Sequence, residues 1–173
     1  MNVREATPGD APAIARVHVA SWNAAYRGVI ADEALDALTE ERLTGEWHAE
    51  IERPDAAGVT VAVVEEAAEV VGYSRYGPAR DEDLDPRSAA EVYGFYLHPD
   101  AWGRGAGRRL MEHVAVDLRA RGFRTGVLWV VQSNERAQAF YRALGFEPDG
   151  RDDKLCIGAP EFRYRRALDG SSG

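Results

Sequence analysis

Apolar side chains recur along this chain at two spacings, every second residue in some stretches and every third or fourth in others. The switches between these spacings mark strands and helices. Asn2 to Glu5, with Val3 inward, reads as a short edge strand. Asp10 with Pro12 in the first turn opens a helix whose faces are Ile14, Val17, Ser21 and Ala25 on one side and Trp22 with Tyr26 on another; Arg27-Gly28 ends it. Asp32 to Leu38 is a short second helix, and Thr39 to Ile51, with Leu43, Trp47 and Ile51 four apart, is a third that stops before Pro54. Gly58 to Glu65 and Val70 to Tyr76 form a hairpin. Gly77 to Ala89 is polar and reads most simply as a solvated loop, or as a lure for a cationic substrate, because Asp81, Glu82, Asp83 and Asp85 crowd it.

The second half repeats the scheme more sharply. Val92 to Leu97 is aromatic and aliphatic, His98-Pro99 stops it, and Leu110, Met111, Val114 and Leu118 then fall three and four apart, up to Arg121 and a cap at Gly122. Thr125 to Val131 is apolar enough for a central strand. Ser133 or Asn134 caps a last helix carrying Ala137, Phe140, Tyr141 and Leu144 and ending at Gly145. Phe146 to Asp149, Leu155 to Gly158 and Glu161 to Leu168 are extended pieces, no repeat is visible, and 170–173 reads as a flexible tail behind a single domain over 1–169. The sum is an α/β (α+β) chain with a mixed sheet and helices on both faces.

The 173 residues are 45% hydrophobic, enough for one core. A formal charge of -8 argues against nucleic acid or an anionic membrane as a partner. No run of about 18 apolar residues is present, so no span is expected. The first residues resemble neither a signal nor a transit peptide, which makes a cytoplasmic location the plain expectation. One cysteine, Cys156, excludes an internal disulfide framework and cysteine-based metal clusters, and the histidines lack ligand spacing, so no metal is expected.

Between the strand ending at Leu97 and the helix starting near Leu110 lies Trp102-Gly103-Arg104-Gly105-Ala106-Gly107-Arg108. A glycine-rich turn opening a helix points bare N–H groups and a helix dipole at an anion. The turn lacks the lysine and Ser/Thr of a Walker loop and the spacing of a dinucleotide fingerprint. It resembles motif A of the GNAT superfamily of acyl-CoA-dependent N-acetyltransferases, matching at Gly105 and Gly107 and departing at Trp102, where the family has Arg or Gln. A second block, Val130 to Phe146, is similar to motif B through Asn134, Ala137, Phe140, Tyr141 and Gly145-Phe146. The opening Asp10 to Tyr26 resembles the family's first helix, so the likeness covers nearly the whole chain.

The resemblance implies a mostly antiparallel sheet splayed between its fourth and fifth strands, and acetyl transfer from acetyl-CoA to a primary amine by direct attack in a ternary complex. The acceptor would be a small amine or a protein N-terminus; the alternative is a non-catalytic acyl-CoA-binding or interaction domain of the same fold. It implies that Tyr96, Leu97, Trp102, Gly103, Arg104, Gly105, Ala106, Gly107, Arg108, Asn134, Ala137 and Tyr141 hold the CoA. Tyr141 would serve as acid toward the leaving thiolate, and Glu91, with Tyr93 or water as substitutes, as base toward the amine. Trp22, Tyr26, Tyr73, Tyr93 and Trp129 are candidates for the acceptor wall. Sheet ends in such domains often pair across a homodimer, with Phe162 and Tyr164 as candidates here.

Overall fold

A computed structural model describes residues 1–53 and 58–168; the tail expected at 170–173 lies outside the described residues. The strands are β1 (Asn2–Glu5), β2 (Thr60–Glu66), β3 (Glu69–Pro78), β4 (Ala89–Leu97), β5 (Thr125–Val131), β6 (Glu147–Pro148), β7 (Leu155–Cys156) and β8 (Ala159–Ala167). The helices are α1 (Ala11–Tyr26), α2 (Asp32–Asp36), α3 (Glu40–Glu52), α4 (Ala106–Ala120) and α5 (Glu135–Ala143). The sheet order is β1-β2-β3-β4-β5-β8-β6, with β7 paired to β8. Every pairing is antiparallel except β4 with β5.

Strand alternation divides the core. On β2, Val61 and Val63 face Ala11, Ile14, Ala15 and Val17 of α1 and Leu43 and Trp47 of α3, while Ala62 and Val64 face Leu110, Met111, Val114, Ala115 and Leu118 of α4. Leu110 and Leu118 are essentially fully buried, each contributing about 1.5–3 kcal/mol through removal of apolar surface from water. Thr39 caps α3 by accepting from the Arg42 amide at 3.3 Å. Asp10 does not cap α1, because its carboxylate accepts instead from the Thr7 amide (2.7 Å) and from Arg4 (2.7 and 2.9 Å).

The feature that positions the site is the end of the parallel pairing. β4 and β5 are in register from Ala89↔Thr125 to Val92↔Leu128 and pair no further. Tyr93–Leu97 and Trp129–Val131 therefore diverge, as expected of a splayed sheet.

Two expectations need correction. The 79–88 loop is not simply solvated: Asp81 is 8% exposed and bonded to Arg163 and Trp129 at 3.1 and 3.0 Å, and Asp83 is bonded to Arg163 at 2.8 Å. Asp81 and Asp83 are thus paired with cations of the fold itself. Tyr164 is fully buried with its hydroxyl on Gln138 (3.1 Å), and Phe162 packs on the main core. Neither is free to pair a sheet end, since β8 already has neighbours on both sides.

Candidate active site

A cavity of about 1160 Å³ fills the splay. At one end α4 begins. Gly105 is its N-cap with φ +89°, and Gly103 has φ +72°, conformations open to glycine because no Cβ meets the carbonyl. Gly107 is held for a different reason: a Cβ there would lie 2.9 Å from Leu97 Cδ1 and 3.0 Å from Phe140 Cζ. Among the described residues no N–H from Gly103 to Arg108 donates a hydrogen bond. These amides, at the positive end of a 15-residue helix, make a cradle that fits the CoA diphosphate.

Trp102 explains its own departure from the family pattern. Its indole Nε1 donates to the Leu97 carbonyl at 3.1 Å, tying the turn to the end of β4, and the Arg136 guanidinium lies 4.2 Å over its ring. Trp102 thereby fixes the turn, and Arg136 and Arg108 add positive charge at the cavity wall. Tyr96, Leu97, Gly103, Gly105, Gly107, Asn134 and Ala137 also line the cavity. Arg104 and Ala106 do not: Arg104 points outward to Glu66 at 3.1 Å, and Ala106 is buried beneath the turn.

The middle of the cavity is walled by Tyr141 and Tyr26. Tyr141 is held edge-on to Phe95, Phe140 and Phe146. Its hydroxyl has no hydrogen-bond partner among the described residues, and burial, with Tyr26 nearby, holds its pKa well above the usual phenol value. It stays protonated and has a proton to give. Burial pushes Tyr26 up to about 12, with the charges of Cys156 and Glu161 nearby adding to it and Asn134 opposing it. The Asn134 carbonyl oxygen caps α5 by accepting from the Ala137 amide at 3.1 Å. Cys156 faces the same space, but burial and Glu161 raise its thiol to about 11. That makes it a poor nucleophile at neutral pH.

The far end is built from side chains. Glu91 is 2% exposed; both its oxygens accept from Arg80, from the amide and Nε at 3.1 Å and from Nη2 at 2.8 Å. Arg80 lies 4.1 Å over the Tyr93 ring, and the Tyr93 hydroxyl donates to the Pro78 carbonyl at 2.5 Å. That bond commits Tyr93 and leaves it unsuited to act as a base. Trp129 donates to Asp81, and Lys154, the only lysine of the chain, sits 4.6 Å over the Trp129 ring while bonded to Asp81. Burial raises Glu161 above the usual carboxylate range; Lys154 opposes the shift and Glu91 adds to it. Neither Glu161 nor Lys154 carries a motif in the sequence, and only the β5–β8 pairing brings Glu161 opposite Val131.

Of the residues named for the acceptor wall, Trp22, Tyr26, Tyr93 and Trp129 line the cavity and Tyr73 does not. It is 1% exposed, stacked in a cluster with His18, Trp47 and Tyr96, with its hydroxyl 2.7 Å from His18 Nδ1. Burial holds His18 at about 4, so the imidazole is neutral in this cluster. Tyr73 is thus part of the packing behind the wall, with Tyr96 and Trp22 between it and the cavity side. Among the described residues no helix is long and apolar enough to cross a membrane, and no group of acidic, histidine or cysteine side chains is arranged to hold a metal.

Comparison with known proteins agrees with this geometry. A model of the acetyltransferase (GNAT) family matches residues 20–146. The chain is 32% identical over 153 residues to YuaI of Bacillus subtilis (strain 168), an uncharacterized N-acetyltransferase, covering 88% of this chain and 84% of that one. It is 31% identical over 148 residues to MnaT of Escherichia coli (strain K12), an L-amino acid N-acyltransferase, covering 84% and 79%. The fold also matches that of PaiA N-acetyltransferase from Thermoplasma acidophilum in complex with coenzyme A, with a TM-score of 0.76 at 17% identity over 96% of this chain and 98% of that one. The chain belongs to the acetyltransferase (GNAT) family and is an enzyme of that class.

Proposed function

We propose that this enzyme acetylates the amine of a small zwitterionic acceptor, an amino acid or a close analogue, by direct attack in a ternary complex. The observation that carries the reading is the mixed charge of one cavity wall: Arg80 and Lys154 beside Glu91 and Glu161. Arg80 and Lys154 are 57% and 37% exposed at the side chain and keep donors beyond those given to Glu91 and Asp81. A carboxylate on the acceptor would engage them. A simple polyamine would meet two cations instead. The similarity to an L-amino acid N-acyltransferase supports the same class.

Acetyl-CoA supplies a thioester whose carbonyl carbon accepts a nitrogen lone pair. The N–H groups of Gly103 to Arg108 would hold its diphosphate. β4 amides beyond Val92 that face the splay have no strand partner on that side and would stabilise charge growing on the carbonyl oxygen. The Tyr141 hydroxyl would donate its proton to the departing sulfur. The high pKa of Cys156 supports transfer without a covalent enzyme intermediate.

Thiol release from acetyl-CoA, measured over L-amino acids, their amides and methyl esters, and polyamines, tests the acceptor. Free L-amino acids should turn over at least about tenfold better than their amides, the worth of one charge-assisted contact. Equal turnover of amides would move the acceptor to peptide N-termini. Tyr141→Phe should lower kcat by about 100-fold or more while the Kd for CoA stays within twofold; unchanged kcat would remove Tyr141 as the acid.

A further inference from the structure

We propose that Glu161, rather than Glu91, is the carboxylate that receives the acceptor's ammonium group and takes its proton. The inference rests on the reading above that an amine is acetylated in this cavity. Of the two glutamates facing the acceptor half, Glu91 has both oxygens engaged by Arg80 through three contacts of 2.8 to 3.1 Å. It positions that guanidinium, with each of its oxygens already accepting from Arg80. Glu161 lines the same cavity, half-buried, and among the described residues its carboxylate accepts no hydrogen bond.

Its surroundings suit the task. Glu161 stands on β8 opposite Val131, at the end of β5, and Asn134 follows three residues later. Tyr26 of α1, Tyr141 and Glu161 line the same cavity, and Tyr26 is an electrostatic neighbour of both the acid and the unpaired carboxylate. The other charged or titratable groups facing Glu161 are Lys154 and Cys156 from the β7 segment and Glu91 from β4, the last paired with Arg80. A half-buried carboxylate in this setting has a higher proton affinity than a surface one, which favours transfer from an ammonium.

The protons balance without a further reactant. Glu161 takes one proton from the ammonium, freeing the lone pair. The C–N bond forms and the C–S bond breaks, with the Tyr141 hydroxyl giving its proton to sulfur. The new amide nitrogen sheds its surplus proton to the Tyr141 phenolate, and Glu161 releases its own to solvent. The products are the amide, the CoA thiol and one proton.

The test is the pH profile of kcat/KM for Glu161→Gln beside wild type and Glu91→Gln, on whichever amine of the panel turns over. Glu161→Gln should lose about 100-fold at pH 7, and the deficit should narrow to a few-fold near pH 10, where alkyl amines lose their proton unaided. Its Kd for CoA should not change, and Glu161→Asp should recover part of the rate. Glu91→Gln should show a loss that does not narrow with pH. A Glu161→Gln enzyme within threefold of wild type at pH 7, or one whose loss is equal at all pH values, overturns the assignment. If no amine in the panel turns over, the acceptor reading fails by itself. Glu161 is then tested with ethylammonium chloride on protein carrying carboxyl-labelled glutamate. The carbon-13 resonance missing in Glu161→Gln should shift on titration in wild type, and no shift overturns the proposal.

Discussion

The two ends of the cavity are made of different material. The proposed donor end is backbone: six consecutive N–H groups, two glycines at positive φ and one glycine kept bare by close packing on Leu97 and Phe140. The proposed acceptor end is side chain, with Arg80, Glu91, Trp129, Lys154 and Glu161 drawn from five separate segments and braced from behind by Asp81, Asp83 and Arg163. A backbone site recognises what every acyl-CoA shares. A side-chain site can be rewritten one residue at a time without disturbing the cradle, so on the reading proposed above specificity would reside at the acceptor end.

If the ends are as different as this, they should break differently. The largest effect is expected at the brace. Arg163 is 4% exposed at the side chain and holds Asp81, Asp83 and Asp149 at 2.7 to 3.1 Å. Arg163→Met strands those carboxylates and should destabilise the fold by about 3–5 kcal/mol, read by denaturant unfolding. A loss under about 1 kcal/mol would mean that the acceptor wall does not depend on this brace. At the donor end, Gly107→Val forces Leu97 or Phe140 aside and should raise the KM for acetyl-CoA by about 100-fold, with the fold less affected than by Arg163→Met.

Acid should also separate the ends. His18 packs neutral behind the acceptor wall, with a folded-state value of about 4 against 6.5. Below pH 6.5 the unfolded chain takes up the proton and the folded chain does not, so stability falls as pH drops from about 6.5 to about 4 and then levels. The loss is at most about 3.5 kcal/mol at about 1.4 per pH unit, and it should vanish in His18→Phe. The smallest effect is expected from Gly105→Ala, which meets no neighbouring atom but must hold φ at +89°. It should weaken CoA binding by about tenfold, in line with about 1–2 kcal/mol for a left-handed alanine.

The same difference governs what could be read before the structure. The donor end is contiguous, so Gly103 to Gly107 and Asn134 to Phe146 carried the family pattern and the splayed fold with it. The acceptor end is not. Asp81 and its partner Arg163 lie 82 positions apart, and nothing local pairs them, so the run from Gly77 to Ala89 read as solvated. Tyr73 alternates correctly along β3, but its face packs under α1 and α3 and not on the cavity. Glu161 sits in an ordinary strand, and only the β5–β8 register brings it to the reacting end. Trp102 looked like a defect in the motif because its indole bond to Leu97 is a tertiary contact.

The most direct measurement is a CoA titration of nitrogen-15-labelled protein followed by amide NMR. The amides of Gly103 to Arg108 should move farthest and downfield as they acquire phosphate acceptors, while the Trp129 indole, bonded to Asp81 at the other end, stays in place. Saturation with CoA that leaves those six amides unmoved, with the largest shifts elsewhere, would contradict the account.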